Sequence, residues 1–110
     1  MIHLHRLIKE LRRLLISKRD TNSIRSKTDE IIQACNRLIS EHAQNREVTS
    51  YLEMIRMAAN RMGRATYGGM AMGASGPFNY DIAIGDLEAM EKRIAQVGTI
   101  LKIEFKEIES

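Results

Sequence analysis

The sequence predicts an all-α fold, a four-helix bundle with a long glycine-rich loop between the third and fourth helices. Apolar residues recur every three or four positions along four segments, which is the spacing of one helix face. Polar residues typical of turns separate the first three segments. Six of the seven glycines and the only proline lie within residues 63–85, a density that neither a long helix nor a packed strand tolerates. We therefore expect a loop over residues 63–86.

The first two helices are predicted over residues 2–18 and 23–43. The polar residues 19–23 compete for backbone hydrogen bonds and indicate a turn followed by a new helix start. Asn45, in the next polar break, is a residue that tolerates the left-handed conformation closing a helix. The inward residues of helix 1 are Leu4, Leu7, Ile8, Leu11, Leu14 and Leu15, and those of helix 2 are Ile24, Thr28, Ile31, Ile32, Cys35, Leu38, Ile39 and His42.

The third helix is predicted over residues 51–62. Ser50 and Glu53 have the spacing of a capping box, in which each side chain binds a backbone amide at the helix start. Gly63 is the glycine expected just after the helix end.

The fourth helix is predicted over residues 87–108, with Asp86 as its N-cap. Its apolar stripe runs from Leu87 to Ile108 in one helical phase. Residues 101–106 also alternate strictly between apolar and charged, so a strand beginning after Gly98 is the alternative.

Composition predicts one domain spanning residues 1–110. With 44% hydrophobic and 28% charged residues, the chain has a globular composition and no signature of intrinsic disorder. Aromatic residues make up only 5% and Trp is absent, so the core is expected to be aliphatic, with the seven Met residues filling gaps. Such a bundle also allows a homodimer, because a second copy completes a core that is open at one end.

The single cysteine, Cys35, excludes an internal disulfide and predicts a cytoplasmic protein. Charges throughout residues 1–15 exclude a signal peptide and a membrane span there, so no membrane partner is expected. His3 and His5 are two positions apart and point to different sides of a helix. We therefore expect no metal site and no cofactor.

The first 27 residues contain eight Lys and Arg but only two acidic residues, whereas the other 83 contain nine basic and twelve acidic residues. This asymmetry predicts either complementary faces that meet within the fold or in a dimer, or binding of an anionic partner. The alternative function is therefore a nucleic-acid-associated regulator. The sequence lacks a helix-turn-helix signature and an aromatic stacking platform, which argues against it. The residues of that alternative are Arg6, Lys9, Arg12, Arg13 and Arg19.

The glycine-rich segment is the candidate functional site, because long loops within compact domains are commonly functional. It matches no phosphate-binding glycine motif. Its methionines suit adaptable protein contacts, or alternatively fold back to close the open end of the bundle. Apolar and polar residues alternate over 78–84, which predicts a short extended segment. The candidate partner-binding residues are Tyr67, Gly68, Gly69, Met70, Met72, Phe78, Asn79, Tyr80 and Asp81.

A further alternative is a small enzyme that uses Asn79, Asp81 and Asp86 in a polar pocket. No convincing catalytic set accompanies these residues, so the leading prediction is a non-enzymatic module that binds another protein.

Residues 67–70, Tyr-Gly-Gly-Met, and residues 76–81, Gly-Pro-Phe-Asn-Tyr-Asp, resemble a motif of small helical bacterial proteins of unknown function. That motif is an aromatic residue, Gly-Gly-Met, a small Gly-Ser pair, and then aromatic-Asn-Asp. The resemblance implies a non-enzymatic bacterial protein of the immunity type, which neutralises a toxin by binding it. The motif positions that carry over are Gly68, Gly69, Met70, Phe78, Asn79 and Asp81.

Overall fold

A computed structural model of the protein describes residues 1–67 and 78–103. These residues form four helices, α1 (Ile2–Ile16), α2 (Thr21–Glu41), α3 (Arg46–Ala65) and α4 (Tyr80–Leu101). Helix α1 packs against α2 and α4, and α3 packs against the same two helices; within the described ranges no diagonal pair is in contact. The predicted all-α helical bundle is confirmed. Residues 68–77, the centre of the predicted loop, lie outside the described residues.

The core is aliphatic, as predicted. Met62 and Met90 are buried in it, whereas Met54 and Met57 are exposed and do not fill gaps as expected. The largest fully buried side chains of the core come from all four helices, and burial of each stabilises the fold by about 1.5–3 kcal/mol relative to exposure. These side chains are Leu4, Ile8, Leu11, Leu15, Ile24, Ile31, Val48, Leu52, Ile55, Met62, Leu87 and Met90.

Helix α1 ends two residues earlier than predicted, and α2 both begins and ends two residues earlier than predicted, at Thr21 and Glu41. Lys18 adopts a left-handed conformation with φ 52°, and the amide of Arg19 donates to the carbonyl of Leu14 at 2.9 Å. Asp20 is the N-cap of α2, because its Oδ1 accepts a hydrogen bond from the Ser23 amide at 2.8 Å. The turn predicted over residues 19–23 is therefore also where α2 starts.

The prediction for α3 is wrong at both ends. Asn45 does not close α2 in a left-handed conformation; its φ is −103°, and its side chain caps α3 by accepting from the Val48 amide at 3.2 Å. The helix therefore begins one turn before the Ser50 capping box. It begins there because Val48 is fully buried and extends the inward stripe by one turn. Gly63 lies within the helix, which continues to Ala65.

Gly63 lies where α3 crosses close to α2. A Cβ atom at this position would be 2.8 Å from Oγ1 of the fully buried Thr28. The Thr28 hydroxyl in turn donates to the Arg25 carbonyl at 2.8 Å. The glycine therefore permits close packing of two helices and does not mark a helix end.

The predicted start of α4 at residue 87, with Asp86 as N-cap, is also wrong. Asn79 is the N-cap, and its Oδ1 accepts from the amides of Asp81 and Ile82 at 3.0 and 3.1 Å. Residues 80–84 are thus helical and not extended. The reason is burial, because Ala83 is only 3% exposed and adds a turn to the stripe of Leu87.

Helix α4 also ends earlier than the predicted residue 108. Lys102 is left-handed with φ 57°, and the Ile103 amide donates to the Gly98 carbonyl at 2.8 Å, which is the Schellman pattern of a helix end. The alternative strand after Gly98 is wrong for residues 99–101, which are helical. The remainder of that prediction, residues 104–108, falls outside the described part of the chain.

Candidate functional site

The first flank of the glycine-rich segment, at the end of α3, is held by Arg25 of α2. The Arg25 guanidinium lies 4.0 Å from the centre of the Tyr67 ring, within the range of a cation–π contact. Its Nε donates to Oγ1 of Thr66 at 2.9 Å, and its Nη1 donates to Oδ1 of Asn22 at 3.2 Å. One arginine side chain thus joins the start of α2 to the end of α3.

Thr66 also holds the end of α3, through a hydrogen bond to a residue of the same helix. Its side chain is buried, and its Oγ1 donates to the Gly63 carbonyl at 2.6 Å while accepting from Arg25. The Tyr67 amide donates to the Arg64 carbonyl at 3.1 Å. Tyr67, the residue directly before residues 68–77, is nevertheless 56% exposed.

The second flank is held by two aromatic rings at the start of α4. The rings of Phe78 and Tyr80 meet edge to face at 5.0 Å, and both pack partly against the core. The Tyr80 hydroxyl donates to the carbonyl of Arg19, in the α1–α2 connection, at 2.8 Å. Both flanks of residues 68–77 are therefore attached to the same corner of the bundle, formed by residues 19–25.

The structure brings some predicted partner-binding residues together and leaves others outside its description. Tyr67, Phe78 and Tyr80 lie at this corner. Asn79 and Asp81 are exposed at the start of α4, where Asn79 caps the helix and Asp81 is the acidic residue of the first turn. The predicted residues Gly68, Gly69, Met70 and Met72 lie outside the described residues.

The three residues of the enzyme alternative lie at the N-cap or in the first half of α4, where two of them make structural contacts. Asn79 caps α4, and Asp81 is exposed in its first turn. Asp86 accepts from Nη2 and Nε of Arg61 at 2.8 and 3.2 Å and so joins α4 to α3. This ion pair raises the pKa of Arg61. These contacts give no support to the polar pocket that the enzyme alternative requires.

Part of the basic N-terminal helix is neutralised within the bundle. Glu91 of α4 lies 2.7 Å from Nη1 of Arg12 and 3.8 Å from Nζ of Lys9. Complementary charges of α1 and α4 therefore meet within the fold, which is one of the two outcomes that the charge asymmetry predicts. The other residues of the nucleic-acid alternative, Arg6, Arg13 and Arg19, are exposed.

Cys35 and the histidines show no chemical specialisation. Burial raises the pKa of the Cys35 thiol to about 12, which leaves it protonated at neutral pH. Burial also lowers the pKa of His5, with the Lys9 charge adding to the effect. Among residues 1–67 and 78–103, no three His, Cys, Asp or Glu side chains are grouped as metal ligands.

Three exposed apolar side chains, two on α3 and one on α4, are not among the residues predicted from the sequence. Met54 and Met57 are 43% and 61% exposed, and Ile82 is 66% exposed. Met57 and Ala65 contribute to a groove whose described lining also includes Arg61 and Arg64. A signal was present in the sequence, because neither methionine falls on the inward stripe of α3.

A scan against protein-family models, a search of curated proteins and a search of solved structures give no match to this chain. The resemblance to immunity-type proteins therefore stays a prediction. Within the described part of the chain, no helix has the length and apolar character needed to cross a bilayer.

Proposed function

We propose that the protein is a small non-enzymatic binding module that contacts another protein through residues 67–81 and the adjoining helix ends. The observation that carries this proposal is the attachment of both flanks of the glycine-rich segment to one corner of the bundle. Arg25 holds Tyr67 on one side, and the Arg19 carbonyl holds Tyr80 on the other.

Anchored flanks favour binding because they lower the entropic cost of recognition. Ordering a residue costs about 1–2 kcal/mol in backbone entropy, so contact residues that are already held in place, as Tyr67 and Tyr80 are, cost less to order on binding. The half-exposed ring of Tyr67 offers a partner a rigid aromatic contact of the kind that dominates interface energies. Met70 and Met72 would supply adaptable apolar contacts.

The partner implied by the resemblance is a toxin, which a cytoplasmic module of the immunity type would neutralise by binding. The nucleic-acid alternative has weaker support, because Glu91 neutralises part of the basic helix that it requires. The enzyme alternative is likewise weakened, because Asn79 and Asp86 are engaged in structural contacts.

The test replaces residues 68–77 by a Gly-Ser linker of equal length, which keeps the flanks and the helices. The wild type, the linker variant and a Tyr67→Ala variant are immobilised, and the proteins that each retains from the native host are compared. Tyr51→Ala is the control for loss of an aromatic ring beside an arginine, since the Arg93 guanidinium is 5.7 Å from the Tyr51 ring. Because Tyr51 also packs against the core, the melting temperature of this variant is measured as well.

We expect one partner to be retained by the wild type and by Tyr51→Ala and lost by the other two variants. Circular dichroism should show unchanged helical content in all four proteins. Retention of the same partner by the linker variant would place the binding surface elsewhere and refute the proposal.

A further inference from the structure

A groove of about 550 Å³ runs between the first half of α1 and the second half of α4. Its apolar lining includes the buried side chains of Ile8 and Ile94, together with Gly98. Lys9 and Lys102 contribute charged side chains to the same lining. We call this surface the α1–α4 groove. Clefts of this size that combine apolar walls with a few polar groups are typical of binding sites.

Helix α4 ends at this groove, and its last turn directs the chain into it. Lys102 has a left-handed conformation with φ 57°, and the Ile103 amide donates to the Gly98 carbonyl at 2.8 Å. Gly98 and Ile103 both line the groove, and Ile103 is half-buried. Residues 104–110 therefore start at a residue that already belongs to the groove.

Residues 104–110 are long enough to cross the groove. Seven extended residues reach about 23 Å. Along α4 the groove lining extends from Glu91 to Lys102, a rise of about 16 Å. The segment also contains two apolar residues, Phe105 and Ile108, whose burial against the apolar lining would be favourable.

The charges of residues 104–110 complement those at the groove. The segment contains three Glu and one Lys. At the groove, the Glu91 carboxylate lies 2.7 Å from Nη1 of Arg12 and 3.8 Å from Nζ of Lys9, and Lys102 is exposed. Three cations thus accompany one carboxylate there, which favours an acidic occupant.

We propose that residues 104–110 bind in the α1–α4 groove of their own chain, with Phe105 against its apolar lining and acidic residues beside Lys9 and Lys102. The inference is independent of the proposed function. The groove lies where α1 begins and α4 ends, whereas the corner at residues 19–25 lies where α1 ends and α4 begins.

Two other occupants have less support. A small molecule would fit the volume, but the chain itself already enters the groove at Ile103. A second copy would bring the same acidic segment, but that segment would first have to leave the groove in which it starts. A connection this short gives the segment an effective concentration on the order of millimolar within its own chain.

The test introduces a single fluorescent reporter by Phe105→Trp, because the natural chain contains no Trp. Acrylamide quenching of the full chain measures how accessible the reporter is. Ala95→Glu, made in this reporter chain, places a negative charge in the groove, since Ala95 is exposed and lines it. Ala89→Glu is the matched control, because Ala89 is also exposed on α4 but does not belong to the described lining.

We expect the reporter to be quenched much less than free N-acetyltryptophanamide. Ala95→Glu should raise the quenching constant about twofold or more, because weakening the docking about tenfold moves an equilibrium of about 10:1 to about 1:1. Ala89→Glu should leave it unchanged. Circular dichroism checks that the variants keep their helical content. Lys102→Glu is a second groove variant with the same expected effect, and Lys92→Glu, exposed on α4 outside the described lining, is its control.

Quenching of the reporter equal to that of the free amide would overturn the inference. So would quenching that neither groove variant raises, or that the two control variants raise equally. Quenching that falls with increasing protein concentration, together with a dimer in sedimentation, would overturn it in favour of a second copy.

Discussion

Replacing Gly63 by alanine adds a methyl group where α3 packs closely against Thr28 of α2. The new Cβ would lie 2.8 Å from Thr28 Oγ1 but 3.6 Å from Thr28 Cβ, so the hydroxyl alone is too close. That hydroxyl is buried and held by its hydrogen bond to the Arg25 carbonyl, so it cannot rotate away without losing the bond. Overpacking of this kind costs about 1–3 kcal/mol.

The same substitution also has a favourable term, because alanine in a helix interior is about 1 kcal/mol better than glycine. In the wild-type background the two terms oppose each other, and we expect Gly63→Ala to lower the free energy of unfolding by about 0–2 kcal/mol. In a Thr28→Ala background the close contact is removed. There, Gly63→Ala should raise the free energy of unfolding by about 1 kcal/mol. The predicted coupling between the two positions is thus about 1–3 kcal/mol.

The assay is urea denaturation of the wild type, both single variants and the double variant, followed by circular dichroism. Gly85→Ala is the matched control, because Gly85 lies in α4 and no atom beyond its own stretch of helix lies within 4 Å of the added Cβ. It should stabilise the protein by about 1 kcal/mol in either background. If Gly63→Ala stabilises the protein equally with and without Thr28, the account of close helix packing is wrong.

Three further predictions concern titration and capping. Burial raises the pKa of the Cys35 thiol from 9.0 to about 12, so alkylation of this thiol should require unfolding. The free energy of unfolding should also fall as pH rises from 9.0 to about 12, because the unfolded thiol loses its proton first. The Ser23 amide holds the pKa of Asp20 below 3.8, so stability should decrease as pH falls below that value, and Asp20→Asn should flatten this acid limb of a thermal denaturation series. Asn79→Ala removes the cap of α4 and should cost about 1 kcal/mol in urea denaturation. Asn60→Ala, at an exposed site within α3, should instead stabilise the protein by up to about 0.7 kcal/mol, because alanine is the better helix former.

Helical periodicity was sufficient to predict the four helices, because each inward stripe repeats over several turns. Helix ends were predicted less well, because a local capping signal competes with burial of the next apolar residue. Ser50 and Glu53 have the correct capping spacing, but burial of Val48 extends α3 back to the cap at Asn45. Ala83 has the same effect on the start of α4.

Tertiary contacts explain what local patterns could not predict at the candidate site. Gly63 looked like a helix terminator, and only its distance from Thr28 shows that it allows two helices to approach. Likewise, the sequence drew attention to Tyr67 and Tyr80 as segment residues, but nothing local predicts that they are attached to Arg25 and Arg19. Those pairings depend on how the helices are arranged in space.

We propose that the corner holding both flanks of residues 68–77 is the recognition surface. Hydrogen–deuterium exchange of the protein, with and without its captured partner, tests it most directly. We expect slower exchange over residues 67–81 in the complex, with little change in the α2–α3 connection at residues 42–45. Protection confined to that opposite connection, with residues 67–81 unchanged, would contradict it.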